Sequence, residues 1–288
     1  MIETGALHFR RFGSALAITA MLAACGTGTP LSPPSSAATA STSAASAPNA
    51  TPVVGRAQAR NFPVAADGRE PALLCEGEGT PTVLLEDGHP SETGGIRRFS
   101  TGQLWAELTR HTRVCAYDRA GYGNSDPAPD EPRDADDVVN DLQALLATAG
   151  EQGPYVLVGS SFGGMIVTYY AARDPNDVAG VVLLDVPAPT DTLTLEELPE
   201  LAWDHPANPE HVDVIPEFET RFARDPQPMQ APLTVITAAH GQSDVADQAF
   251  WLELSPDATQ VELEGGHDLD QDDPTGVSTE ILEFVDAP

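Results

Sequence analysis

An α/β architecture with a mainly parallel sheet is predicted by three features of this sequence. Short runs are apolar throughout, stretches of helical periodicity alternate with them, and turn-forming residues stand at most of the junctions. Runs without polar alternation suit strands covered on both faces, which is where parallel sheets place them. The strand candidates in order are residues 71–75 (PALLC), 82–86 (TVLLE), 112–118 (TRVCAYD), 155–159 (YVLVG), 180–185 (GVVLLD), 233–238 (LTVITA) and 259–265 (TQVELEG). Helical patterns fall between them at 102–111, 134–149, 163–174, 246–254 and 275–284. The alternation breaks once, between Asp185 and Leu233, where Pro, Glu and aromatic residues are frequent. Ile215, Phe218 and Phe222 keep helical spacing there despite Pro216, so residues 187–231 are expected to form a small cap over the strand ends.

Upstream of this domain (residues 57–288) the chain has a different character. The Arg10-Arg11 pair followed by an apolar run over 12–24 has the form of an export signal and is short for a membrane span. Its end, LAAC at 22–25, resembles the lipobox of bacterial lipoproteins, which implies cleavage after residue 24 and a lipid anchor on Cys25. Residues 25–56 are nearly all Ala, Ser, Thr, Pro and Gly, a composition that buries too little apolar surface to order itself and reads as a tether. The expected location is the extracytoplasmic side of a membrane, or the medium.

Charge narrows the chemistry. Lys and Arg total 14 against 44 Asp and Glu, and every one of the 14 is Arg. Without lysine there is no Walker-type phosphate loop, Schiff base or Ser-Lys dyad. A net charge of −30 disfavours nucleic acids and polyanionic substrates. The acidic run at 268–273 (DLDQDD) is not an EF-hand loop, because Asp273 stands where Gly is needed and Thr279 where Glu is needed. No metal or cofactor is therefore expected, and Asp273 before Pro274 reads as a helix cap.

The most informative stretch is 155–173, YVLVGSSFGGMIVTYYAAR. Gly159, Ser161 and Gly163 fit GxSxG between a buried strand and a helix, the setting of a nucleophile elbow. Centring the motif on Ser160 would put Val158 and Phe162 at the glycine positions, so Ser161 is the candidate nucleophile. A serine hydroxyl needs a base, and among seven histidines His267 lies on the loop after the last strand, behind Gly265-Gly266. Two aspartates satisfy the order Ser, Asp, His: Asp185 at the end of its strand and Asp244 beyond the next one. Both remain candidates for the acid. The Phe162 N–H at the helix start and the His89 N–H in EDGHP are the expected oxyanion donors.

PTVLLEDG, RVCAYDRAGYGNSD and GPYVLVGSSFGG together resemble the α/β-hydrolase family, and the resemblance spans nearly all of 61–285. It implies an α/β-hydrolase fold with helices on both faces of the sheet and a cap between strands 6 and 7. It implies Ser161 and His267 as nucleophile and base, with His89 and Phe162 forming the oxyanion hole. The implied activity is serine-dependent cleavage of carboxylic esters, with an aminopeptidase or amidase of the proline-iminopeptidase type as the alternative. A binding lipoprotein that keeps the fold without catalysis is a third reading. Departures from the family are Ser160, where relatives often carry His, and Asp87 before Gly88, which would bring negative charge near the site. Asp118-Arg119 resembles the loop after the family's fourth strand and is expected to hold a structural ion pair and turn. Family strand order also places Cys75 beside Cys115, which implies a disulfide outside the cytoplasm.

Overall fold

The computed structural model describes residues 58–64, 68–89, 94–189 and 194–287. The expected signal segment, Cys25 and the tether lie outside the described residues.

Strands β1 (Arg60–Asn61), β2 (Ala72–Glu76), β3 (Thr82–Glu86), β4 (Val114–Asp118), β5 (Tyr155–Ser160), β6 (Val178–Leu184), β7 (Leu233–Ala238) and β8 (Ala258–Leu263) form one sheet in the order β1-β2-β4-β3-β5-β6-β7-β8. Pairing is antiparallel from β1 to β2 and from β2 to β4, and parallel everywhere else. The central strands are buried along their whole length, as their unbroken Val and Leu runs require.

Helices α1 (Gly94–Ser100), α2 (Gln103–Leu108) and α8 (Pro274–Val285) cover one face, where Ile96, Phe99, Trp105, Leu108 and Ile281 pack against Val83, Leu85 and Val156. Helices α3 (Ala135–Ala149) and α4 (Phe162–Arg173) cover the other, with Leu142, Leu145, Ile166 and Tyr170 packed on Leu84, Leu157 and Leu183. Helix α3 starts on a capping box made by Asp134 and Asp137 and ends on Gly150 in the left-handed region, which fixes its length. Asp273 caps α8 by accepting the Gly276 N–H, with Pro274 in the first turn.

Between β6 and β7 the chain forms the cap: a 3-10 turn at Pro199–Leu201, helix α5 (Val214–Glu217) and a π-helical continuation through Phe218–Arg224. Phe218 and Phe222 are buried against the body, as their spacing predicted. Some elements differ from expectation. Helix α1 begins on Gly94-Gly95 and has only Ile96 and Phe99 to mark its apolar face, too little periodicity to announce it. The helix expected over 246–254 is one turn of α-helix, α6 (Val245–Gln248), followed by a 3-10 stretch. A further short helix, α7 (Leu269–Asp272), precedes α8.

Candidate active site

Ser161 occupies the residue between β5 and α4 with φ 51° and ψ −126°, a backbone conformation that L-residues rarely hold. The turn is possible because its flanks are bare. A Cβ on Gly163 would lie 2.4 Å from the Asp87 carbonyl oxygen, so α4 can begin only by pressing its backbone against the end of β3. Phe162 is the first residue of α4, and its N–H is among those with no acceptor inside the helix.

Asp185 follows β6 and is fully buried, and its Oδ2 lies 2.7 Å from Nδ1 of His267. Its carboxylate also accepts the Gln242 N–H at 3.0 Å and the Gln248 side chain at 2.9 Å. Burial by itself raises the Asp185 carboxyl, but the His267, Gln242 and Gln248 contacts outweigh it and hold the group below its ordinary value. An ionised Asp185 keeps the proton of His267 on Nδ1 and leaves Nε2 as the acceptor. Asp244, the other candidate, is spent on α6, where it accepts the Ala246 and Asp247 N–H groups at 2.9 and 3.0 Å. Gln248, a buried partner of the carboxylate, carried no motif and was not anticipated.

The loop after β3 supplies the other side of the site. A Cβ on Gly88 would sit 3.0 Å from the Ser161 Cβ, so this loop lies tightly against the nucleophile candidate and a side chain here would need Ser161 to shift. The negative charge of Asp87 is met by partners: it accepts the Gly88 N–H at 2.8 Å and lies 3.3 Å from Arg98. Arg98 in turn reaches Asp268 at 2.9 Å and Asp270 at 2.7 Å, beside His267. The His89 ring is pushed down to about 3, by burial first and then by the Arg119 charge, so it stays neutral over the ordinary pH range.

Asp118 organises the turn after β4, accepting the Ile96 and Asn124 N–H groups. Arg119 pairs instead with Glu86 and with Glu210 of the cap. Cys75 and Cys115 stand opposite one another in the β2/β4 register, joined through their sulfur atoms.

Ser161, His267 and His89 border a single cavity of about 900 Å³. One wall is apolar, made by Phe162, Met165, Pro187 and the cap residues Leu198, Leu201 and Val214. The lining also includes the polar residues Arg97, Gln103 and Gln271. Among the described residues no hydrogen bond joins Ser161 to His267. Such a site can deliver a serine oxygen to a carbonyl carbon and take its proton at an imidazole.

Residues 81–260 match the family model described as alpha/beta hydrolase fold. The chain belongs to that family. Relatives within it include the lipase LipV of Mycobacterium tuberculosis, 36% identical over 39% of this chain and 42% of its own length. The bifunctional esterase/perhydrolase DCH of Acinetobacter calcoaceticus is 45% identical over 38% of each. The uncharacterised YbdG of Bacillus subtilis is 27% identical over 44% of this chain and 38% of its own. The chain thus spans less than half the length of the curated relatives it matches. Among solved structures, a bacterial membrane phospholipase A superposes with a TM-score of 0.62 at 20% identity, covering 80% of this chain and 86% of the other. The enol-lactonase of Burkholderia xenovorans superposes at 0.61 and 20%, covering 77% and 99%. At that identity the likeness concerns the fold. Family membership gives the chain the alpha/beta hydrolase fold, and its relatives in sequence include a lipase and an esterase.

Proposed function

We propose that the chain is a serine hydrolase that cleaves carboxylic esters through an acyl-enzyme, exported and tethered to a membrane by lipid on Cys25. The observation that carries the catalytic reading is the 2.7 Å contact of His267 with buried Asp185, on the border of the cavity into which the strained Ser161 turn opens. In this mechanism Ser161 Oγ attacks the carbonyl carbon while His267 Nε2 takes its proton, and the oxyanion is met by the N–H groups of His89 and Phe162. The alkoxide leaves with the proton from His267. Water, deprotonated by the same imidazole, then releases the acid and restores the serine. Apolar lining residues such as Met165, Leu198, Leu201 and Val214 suit an acyl chain, and the polar ones, Arg97, Gln103 and Gln271, suit the alcohol part of the substrate.

Glu200 of the cap also borders the cavity, and a carboxylate there favours a second reading, an aminopeptidase that binds the free amine of its substrate. Labelling with a fluorophosphonate, wild type beside Ser161→Ala, followed by p-nitrophenyl esters and aminoacyl anilides, tests both. Labelling that needs Ser161 together with ester turnover supports the esterase. Anilide turnover alone favours the peptidase, and absence of both labelling and turnover would leave a binding protein.

A further inference from the structure

We propose that Arg119 is a positioning residue for catalysis: its guanidinium locks the Gly88–His89 peptide in the one orientation that presents an N–H to the oxyanion. The inference rests on the reading of Ser161 as the nucleophile. Arg119 is only 5% exposed. Its Nη1 donates to the Asp87 carbonyl oxygen and its Nη2 to the Gly88 carbonyl oxygen, each at 2.6 Å. The Glu86 carboxylate takes a bond from Nη1 at 2.6 Å, and Glu210 receives Nε at 2.9 Å, so the fork is held from both the strand and the cap. The guanidinium also lies 5.7 Å from the centre of the Phe162 ring, the residue whose N–H is the other expected donor.

The geometry explains why such a lock is needed. Gly88 packs tightly against Ser161, with little room for a side chain, yet glycine turns freely about both backbone bonds, and a peptide beside it flips at little steric cost. In a trans peptide the C=O and N–H point in opposite directions. With the Gly88 carbonyl fixed on Arg119, the His89 N–H points away from the guanidinium. A flipped peptide would aim its N–H at a cation and its carbonyl oxygen at the developing negative charge. Burying an arginine between carboxylates contributes little net stability, since desolvation opposes the ion pairs, so the use of its donors on two loop carbonyls is the more specific outcome. Lysine cannot replace it, because a single ammonium lacks the planar fork that reaches adjacent carbonyls together.

The test compares wild type, Arg119→Lys and Glu210→Gln on a p-nitrophenyl ester. Each kcat is expressed per site titrated with the fluorophosphonate, and an alkyl boronic acid that forms a tetrahedral adduct serves as transition-state mimic. For Arg119→Lys the expectation is a kcat per site lower by about tenfold to a hundredfold, smaller than the roughly hundredfold to thousandfold loss on removing an oxyanion donor outright, because the donor is displaced rather than deleted. KM should stay within about threefold, and the boronic acid should weaken in parallel with kcat/KM. Glu210→Gln, which leaves Nε a neutral amide acceptor in place of a carboxylate and so holds one edge of the fork less firmly, should show a smaller loss of the same kind. A residue that only supports the fold would lower the titrated fraction or the Tm and leave kcat per site unchanged, and that result overturns the inference. So does a change confined to KM. If Arg119→Lys does not fold, Glu210→Gln decides alone, by whether its kcat per site falls. A wild type that labels no better than Ser161→Ala overturns the nucleophile reading and this inference with it, whereas an active wild type with an unaffected Arg119→Lys overturns the lock only.

Discussion

Asp185 and Asp244 show what one residue's surroundings decide. Both are aspartates near the carboxyl ends of neighbouring strands, and spacing alone leaves them equivalent. In the structure Asp185 is buried and holds His267, while Asp244 satisfies two orphan N–H groups at the start of α6. The two substitutions therefore have different expected outcomes. Asp185→Asn should lower kcat by up to about 10⁴, because the amide no longer fixes the imidazole tautomer. Asp244→Asn should leave turnover near wild type and, since Asn is itself a good cap, cost well under about 1 kcal/mol. Steady-state kinetics beside urea unfolding separates them, and equal kinetic losses would contradict the assignment. The placement of Ser161 at the β5–α4 turn and of His267 after β8 was readable because a motif and a loop position singled them out. Gln248 and Glu210 were not, since their bonds to Asp185 and Arg119 join positions 63 and 91 residues apart along the chain.

At the scale of elements, the β2/β4 ladder combines main-chain pairing with a covalent link across a sequence separation of 40. Closing such a loop in the unfolded chain accounts for stabilisation of about 2–4 kcal/mol. Replacing Cys75 and Cys115 together by Ala should lower the Tm measured under oxidising conditions, whereas adding reductant to that variant should change nothing further. A variant as stable as the oxidised parent would show the link to be idle. Buried strands such as β3 and β5 were legible as unbroken apolar runs, and α3 carried its cap and its stop in the chain. Helix α1 opens on two glycines, and the two-residue β1 is shorter than any pattern. The helix expected over 246–254 tightened into a 3-10 stretch, where Trp251 is fully buried and its indole N–H bonds the Val186 carbonyl.

For the molecule as a whole, the excess of acidic groups sets the response to pH, and Glu86 is an identifiable contributor. Complete burial, opposed by Arg119 and the Tyr117 hydroxyl, raises its carboxyl from 4.5 to about 7. The folded state thus binds this proton more tightly than the unfolded chain does. Its contribution to stability is complete below about 4.5 and is lost as pH rises through about 7. Glu86→Gln removes that dependence, so the difference in unfolding free energy between variant and wild type should change across this window and be flat above it. Urea titrations from pH 4 to 9 would read it, and parallel curves would refute the assignment.

Arg98 adds a consequence for motion. It grips Asp87, after β3, and Asp268 and Asp270, after β8, although these strands lie on opposite sides of β5 in the sheet. The segment that would receive charge and the segment that would carry the proton are thereby yoked. Neither can loosen without disturbing the other, so fluctuations in the site should be concerted and solvent should enter both flanks of Ser161 in the same event.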